Sequence, residues 1–257
     1  MASPRKPRPR PVRTLLAAAA LSLLPQGPAA ALEDVLLELV LAVDCSSSVN
    51  GEEFALQMQG IAGAFEDPAV LAVLERNGGS GIAVSLLQWS SAGSQAEAIG
   101  WTRIDGIADA LAFADRVRAT ERLVVGGATA LSSAIDTAVL WTQTNRFRGA
   151  RVVIDISGDG RGNDGGSPAI SRALANRAGV TINGLAILNE EPQLAGYYLA
   201  GVVGGPGAFL LTAEDFDDFA VAMRRKLYFE IVGPPIAQIP QDIPPHAPQI
   251  ARFPAKY

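Results

Sequence analysis

Apolar and polar positions change period repeatedly along this chain. Residues 35–43 form a nearly continuous apolar run rich in Val and Leu. It stops abruptly at Asp44, Cys45, Ser46, Ser47 and Ser48. Such a run, closed by small polar residues, predicts a strand buried on both faces. Asn50 with Glu53 three residues on predicts a capped helix, along which Phe54, Met58, Ile61 and Phe65 repeat at helical spacing. Pro68 interrupts, and a short helix is expected over 69–75. Residues 81–89 alternate as a strand, and 95–101 as a weaker strand at the sheet edge. Asp105 opens a predicted helix with Ile107, Leu111, Ala114 and Val117 on one face. Leu131, Ile135 and Val139 mark the next helix. Strands are predicted over 151–157, 180–188 and 207–211, with helices over 168–178 and 194–203 between them. A capping box of Thr212 and Asp215 introduces a last helix with Phe216, Phe219, Met223 and Leu227 on its apolar face. Strands and helices alternate from end to end. That order predicts an α/β fold: a doubly wound, mostly parallel sheet with one antiparallel edge strand and helices on both faces.

Composition refines this picture at the two ends. Arg5, Lys6, Arg8, Arg10 and Arg13 precede a short apolar stretch over 15–24, and Ala29, Ala30 and Ala31 follow. That is the pattern of a secretory signal peptide, so residues 1–31 are expected to be removed on export to the periplasm or the medium. No later segment is apolar over a length that spans a bilayer. From Gly233 onward prolines crowd the chain, and 233–257 is expected to be an extended or disordered tail. The folded domain is then expected over 32–232, large enough for a sizeable core in a chain that is 49% apolar.

Removing 1–31 would take five of the 21 basic residues and none of the 26 acidic ones, leaving a net charge of −10. That acidity argues against nucleic acid or an anionic membrane as the main partner and is compatible with cation binding. Cys45 is the sole cysteine, so no intrachain disulfide forms, and it reads as a small buried residue. The sole histidine, His246, lies in the proline-rich tail. A Ser–His or Cys–His catalytic pair within the domain is therefore not expected.

Candidate chemistry gathers on three loops. Asp44, Ser46 and Ser48 fall at i, i+2 and i+4 at the carboxyl end of the first strand, where open α/β sheets carry their ligand sites. One carboxylate and two hydroxyls are hard oxygen donors suited to a divalent cation. The same residues also suit a Ser-rich turn that only caps the next helix. Gly126-Gly127-Ala128-Thr129 adds a third hydroxyl, and Ser157-Gly158-Asp159-Gly160 a second carboxylate. In a parallel sheet these loops share one edge, so Asp44, Ser46, Ser48, Thr129 and Asp159 can meet.

With these residues quoted, the chain resembles the von Willebrand factor A-type domain, whose metal-ion-dependent adhesion site reads Asp-x-Ser-x-Ser, then Thr after a Gly-rich turn, then Asp in a strand-ending Asp-Gly. The resemblance spans residues 35–230 and looks most like exported bacterial members largely without assigned function. It implies a divalent cation, Mg²⁺ foremost with Mn²⁺ or Ca²⁺ as alternatives. Ser46, Ser48 and Thr129 would be direct or near-direct ligands, and Asp44 and Asp159 would contact the ion directly or through water. It further implies a protein partner that supplies an Asp or Glu carboxylate. Where family members often carry a second Thr two positions after the first, this chain has Leu131.

Other motifs are weaker. Residues 160–165 match G-x-G-x-x-G, but a dinucleotide site wants that turn after the first strand. Residues 155–166 imitate an EF-hand loop that ends in Gly166 where Glu is required. Asp155, a carboxylate within an apolar run, is expected to be buried and hydrogen-bonded in a structural role. Asp164 is expected to be a solvated loop residue, and Trp89, Trp101, Tyr197 and Tyr198 packing or surface residues. The expected function is a non-enzymatic, metal-dependent binding module. The alternative is a metal-assisted hydrolase of phosphate or ester bonds, for which no general base is evident.

Overall fold

The computed structural model describes residues 31–77 and 79–233. The leader expected over 1–31 and the tail expected from 233 lie outside these residues, Ala31 and Gly233 apart. The elements run β1 (Glu33–Asp44), α1 (Gly51–Phe65), α2 (Pro68–Arg76), β2 (Ile82–Trp89), β3 (Gln95–Ile104), α3 (Ile107–Arg118) and α4 (Leu131–Thr144). They continue with β4 (Phe147–Gly158), α5 (Pro168–Arg177), β5 (Val180–Ile187), α6 (Leu194–Gly201), β6 (Leu210–Ala213) and α7 (Phe219–Val232).

The six strands form one sheet in the order β3-β2-β1-β4-β5-β6. All pairings are parallel except β2 with β3, which are antiparallel and place β3 at the edge. The expected α/β architecture is therefore present. β1 alternates between two cores. Leu37, Leu39, Leu41 and Val43 pack with α1, α2, α3 and α7, while Val40 and Ala42 face α4, α5 and α6. Burial on both faces is why β1 carries an apolar run rather than an alternating one. After β3 the chain returns across the sheet to β4 on the far side of β1. The reversal opens a crevice at the carboxyl ends of β1 and β4, where Val43 lies opposite Ser157.

The predicted cap of α1 is present in full: Asn50 Oδ1 accepts from the Glu52 and Glu53 N–H groups, and the Asn50 N–H donates to Glu53 Oε2 at 2.7 Å. Three local expectations are corrected. First, α3 buries Ala110, Phe113, Ala114 and Val117, while Ile107 and Leu111 are exposed. The sequence fits two overlapping stripes, and the one holding Phe113 turns inward, where its ring meets Phe65 edge-on with centroids 4.8 Å apart. Second, Thr212 lies within β6 and caps nothing. α7 begins at Phe219, after a turn in which the Asp218 N–H donates to Asp215 Oδ1 at 2.9 Å. Third, β3 and β4 extend beyond the predicted spans, because ladder pairing continues past the apolar stretch.

Asp155 is buried on β4, and its counter-charge comes from α7. Lys226 Nζ lies 3.1 Å from Asp155 Oδ1 and 2.9 Å from Glu230 Oε1, and all three side chains are buried. Asn183 Nδ2 donates to both oxygens of Glu230. A buried ionic cluster thus joins α7 to the middle of the sheet.

Candidate metal centre

The first loop is shaped by its own carboxylate. Asp44 Oδ1 accepts the Ser46 N–H at 2.7 Å, turning the chain so that Ser46 and Ser48 stand on the same side, their hydroxyls 3.2 Å apart. Ser48 Oγ then donates to Asp159 Oδ1 at 2.7 Å, across the crevice between β1 and β4. Asp44, Ser46, Ser48 and Asp159 therefore form one connected group. Thr129 arrives from the loop before α4. It is buried, and a Cβ on Gly160 would lie 3.7 Å from its Oγ1, so its hydroxyl sits beside the Asp159-Gly160 turn.

Residues that sequence patterns did not mark hold these loops together. Arg122 Nη2 donates to the carbonyls of Cys45, Ser46 and Val49, and Arg122 Nε to that of Val124. One guanidinium thereby clamps the backbone of the first loop. Gln57 Nε2 donates to the Asp44 carbonyl at 3.2 Å. The Thr129 N–H donates to Asn163 Oδ1 at 2.8 Å, and the Asn163 N–H returns to the Thr129 carbonyl at 3.0 Å. Ser47 exchanges two hydrogen bonds with Gly127, whose φ of +99° favours glycine. Asp164 is not merely solvated, since its Oδ2 accepts the Ala92 N–H and ties the β4–α5 loop to the loop after β2. The one signal in sequence for these supports is the concentration of small polar residues on the loops. The role of Arg122 has none, because its partners in the first loop lie more than 70 positions away.

Burial dominates the electrostatics of both carboxyl groups. Burial raises Asp44 to about 7; its Ser46 hydrogen bonds and Arg122 pull the value down, while the Asp159 charge adds to the rise. Asp159 is also raised, by burial first, with Glu53 and Glu190 contributing and the Ser48 hydrogen bond opposing. Asp44 Oδ2 and Asp159 Oδ2 are both buried without a hydrogen-bond partner. Buried carboxylate oxygens normally have donors or a cation. Two carboxylates and three hydroxyls make an all-oxygen set, which fits a hard divalent cation. Among the described residues no cluster of three or more His, Cys, Asp or Glu side chains offers an alternative metal site. Cys45 is buried beneath the loop and its thiol is pushed up to about 12 by burial and by Asp44, consistent with an inert packing residue.

Comparison with known proteins places the fold. A search of curated sequences finds no significant match. The solved structure of proximal thread matrix protein 1 from the mussel byssus aligns at 16% identity with a TM-score of 0.54, covering 78% of this chain and 47% of that one. A form of the same protein described as having a zinc-occupied MIDAS motif aligns at 17% identity and 0.54, covering 78% and 49%. The vWF domain of the type V pili tip protein Mfa5 from Porphyromonas gingivalis aligns at 14% identity and 0.55, covering 78% and 96%. The pilus adhesin SpaC from Lactobacillus rhamnosus GG aligns at 11% identity and 0.57, covering 78% and 31%. The chain spans less than half of the mussel protein and under a third of SpaC. At these identities the shared property is the fold, which is that of the von Willebrand factor A domain. A family model described as "Protein of unknown function (DUF1194)" matches residues 34–235, and the chain belongs to that family.

Proposed function

We propose that this chain is an exported, divalent-cation-dependent binding module that engages a partner protein through an Asp or Glu carboxylate. The observation that carries the reading is the pair of buried, partnerless oxygens, Asp44 Oδ2 and Asp159 Oδ2, amid three hydroxyls at the sheet's switch point. Asp44, Ser46, Ser48, Thr129 and Asp159 would hold the cation, with Mg²⁺ or Mn²⁺ best matched to the hydroxyl-rich set. Bound there, the ion supplies an electrophilic coordination position for an anionic ligand. The three hydroxyls are neutral and the two carboxylates no more than balance the ion's charge, so a coordination position left open could still take an anionic oxygen.

Export follows from the leader pattern over residues 1–31. Two of the similar structures are a pilus adhesin and a pilus tip protein, and a third carries a zinc-occupied site, which agrees with cation-dependent adhesion as a use of this fold. The chain is acidic overall, and Glu53 and Glu190 act on Asp159. Long-range attraction would not draw an acidic partner, so recognition rests on local coordination. The test is capture of a partner by the immobilised protein from the envelope fraction of its own cells. Binding should require Mg²⁺ or Mn²⁺, vanish with EDTA and with Asp44→Ala, and leave no turnover of generic esters or phosphoesters. A partner retained regardless of EDTA and of Asp44→Ala would overturn this function.

A further inference from the structure

Tyr198, which its sequence context presents as packing, lies beside the candidate site. It lies on α6, is fully buried, and its hydroxyl has no hydrogen-bond partner. Gly158, at the end of β4, shows where that hydroxyl points. A Cβ on Gly158 would stand 2.8 Å from Tyr198 Oη and 2.8 Å from Asp44 Oδ2. The backbone at Gly158 does not have positive φ. What glycine provides there is the space that these two oxygens occupy. A donor without an acceptor and an acceptor without a donor thus close over the same bare Cα.

The neighbouring residue on α6 supports the same side of the site. Tyr197 Oη accepts the Gly162 N–H at 3.2 Å, and the Arg161 guanidinium lies over its ring at 5.1 Å. Consecutive tyrosines of one helix therefore reach two of the site's loops. A tyrosine phenol carries its proton at ordinary pH, so a donor is present. A buried phenol ordinarily finds an acceptor, and a ligating carboxylate is ordinarily held by a hydrogen bond outside the metal.

We propose that Tyr198 is a positioning residue for the cation site: once the ion is held, its hydroxyl turns to donate to Asp44 Oδ2 and holds the carboxylate from the α6 side while the Ser46 N–H holds Oδ1. This rests on the cation-binding reading above. Without the phenol, the ion-bound Asp44 would be fixed by the Ser46 N–H alone, and its orientation toward the other ligands would be lost.

The test is Tyr198→Phe in the full chain, titrated with Mn²⁺ and Mg²⁺ by calorimetry. Affinity should fall about 10- to 100-fold, the usual effect of removing a group that orients a ligand. The metal-free melting temperature should stay level or rise, because the variant deletes a buried unpaired hydroxyl. Tyr228→Phe, altering a half-buried α7 tyrosine away from the site, should bind as wild type does. The near-ultraviolet spectrum of the wild type should show a tyrosine perturbation on adding Mn²⁺ that Tyr198→Phe lacks. Wild-type affinity in Tyr198→Phe, or no tyrosine perturbation in a wild type that binds the ion, overturns the role of Tyr198 alone. A wild type that takes up neither ion overturns the cation-binding reading and this one with it.

Discussion

Lys226→Met is the sharpest test of what holds α7 to the sheet. Lys226 Nζ sits between Asp155 Oδ1 and Glu230 Oε1, at 3.1 and 2.9 Å, and 4.5 Å from the Phe209 ring centroid. All four side chains are buried. Removing the ammonium leaves two carboxyl groups facing each other out of water. Breaking a buried pair from one side costs about 3–5 kcal/mol. For a domain of this size each kcal/mol lowers the melting temperature by about 2–4 °C, so a fall of about 6–20 °C is expected at pH 8.

The two carboxyls are not equivalent. Glu230 accepts from Lys226 and twice from Asn183, whereas Asp155 Oδ2 has no donor. The group that takes a proton is therefore Asp155. Burial raises it to about 7, with Lys226 pulling it down and Glu230 pushing it up. Its folded value exceeds its unfolded one, so the stability contributed by protonated Asp155 is full below about 4 and is lost as pH rises through about 7. Lys226→Met should accordingly cost less at pH 5 than at pH 8. Adding Asp155→Asn to Lys226→Met should recover part of the loss, because it deletes the orphaned charge. Thermal melts followed by circular dichroism at both pH values measure this. A loss under about 1 kcal/mol at pH 8, or an equal loss at pH 5, would refute the assignment of Lys226 as the counter-charge.

Two further predictions concern the loops and the sheet. Arg122→Ala deletes four hydrogen bonds to loop carbonyls and should destabilise by about 2–3 kcal/mol while weakening Mn²⁺ binding in calorimetry. Arg122→Lys should restore little of either, since an ammonium cannot reproduce the planar fork. Gly184→Ala would place a Cβ 2.7 Å from Leu210 Cδ1 and 3.0 Å from Val203 Cγ2, and should cost about 1–3 kcal/mol in urea denaturation. Little or no change in the midpoint would show that this part of the core yields.

The parallel sheet was legible because buried strands announce themselves as apolar runs and their carboxyl ends as abrupt polar turns. Asp44 to Ser48 and Ser157 to Gly160 both show this. Once β1 and β4 are adjacent and parallel, their following loops must share an edge, so the group of Asp44, Ser46, Ser48 and Asp159 needed no side-chain knowledge. The face of α3 was not legible. Its apolar residues serve two stripes, and only the packing of Phe113 on Phe65 decides between them. Arg122, Asn163 and Tyr198 act through partners far along the chain and carry no local pattern of their own. Lys226 stands in the run Arg224-Arg225-Lys226, which reads as a solvated face. The clue to its burial lay elsewhere, in Asp155: a carboxyl inside a buried strand needs a proton, a donor or a cation, and the helix packed over it supplies the Lys226 ammonium.

The central claim is that Asp44 and Asp159, with the three hydroxyls between them, take one divalent cation. Calorimetric titration of Mn²⁺ into the wild type, Asp44→Ala and Asp159→Ala tests it most directly, with circular dichroism confirming that each variant is folded. The account predicts one ion per chain for the wild type and weakening of at least about 10-fold in each variant, since each loses one of only two charges that offset the ion's desolvation. One-to-one binding that persists unchanged in both folded variants would place the ion elsewhere and contradict the account.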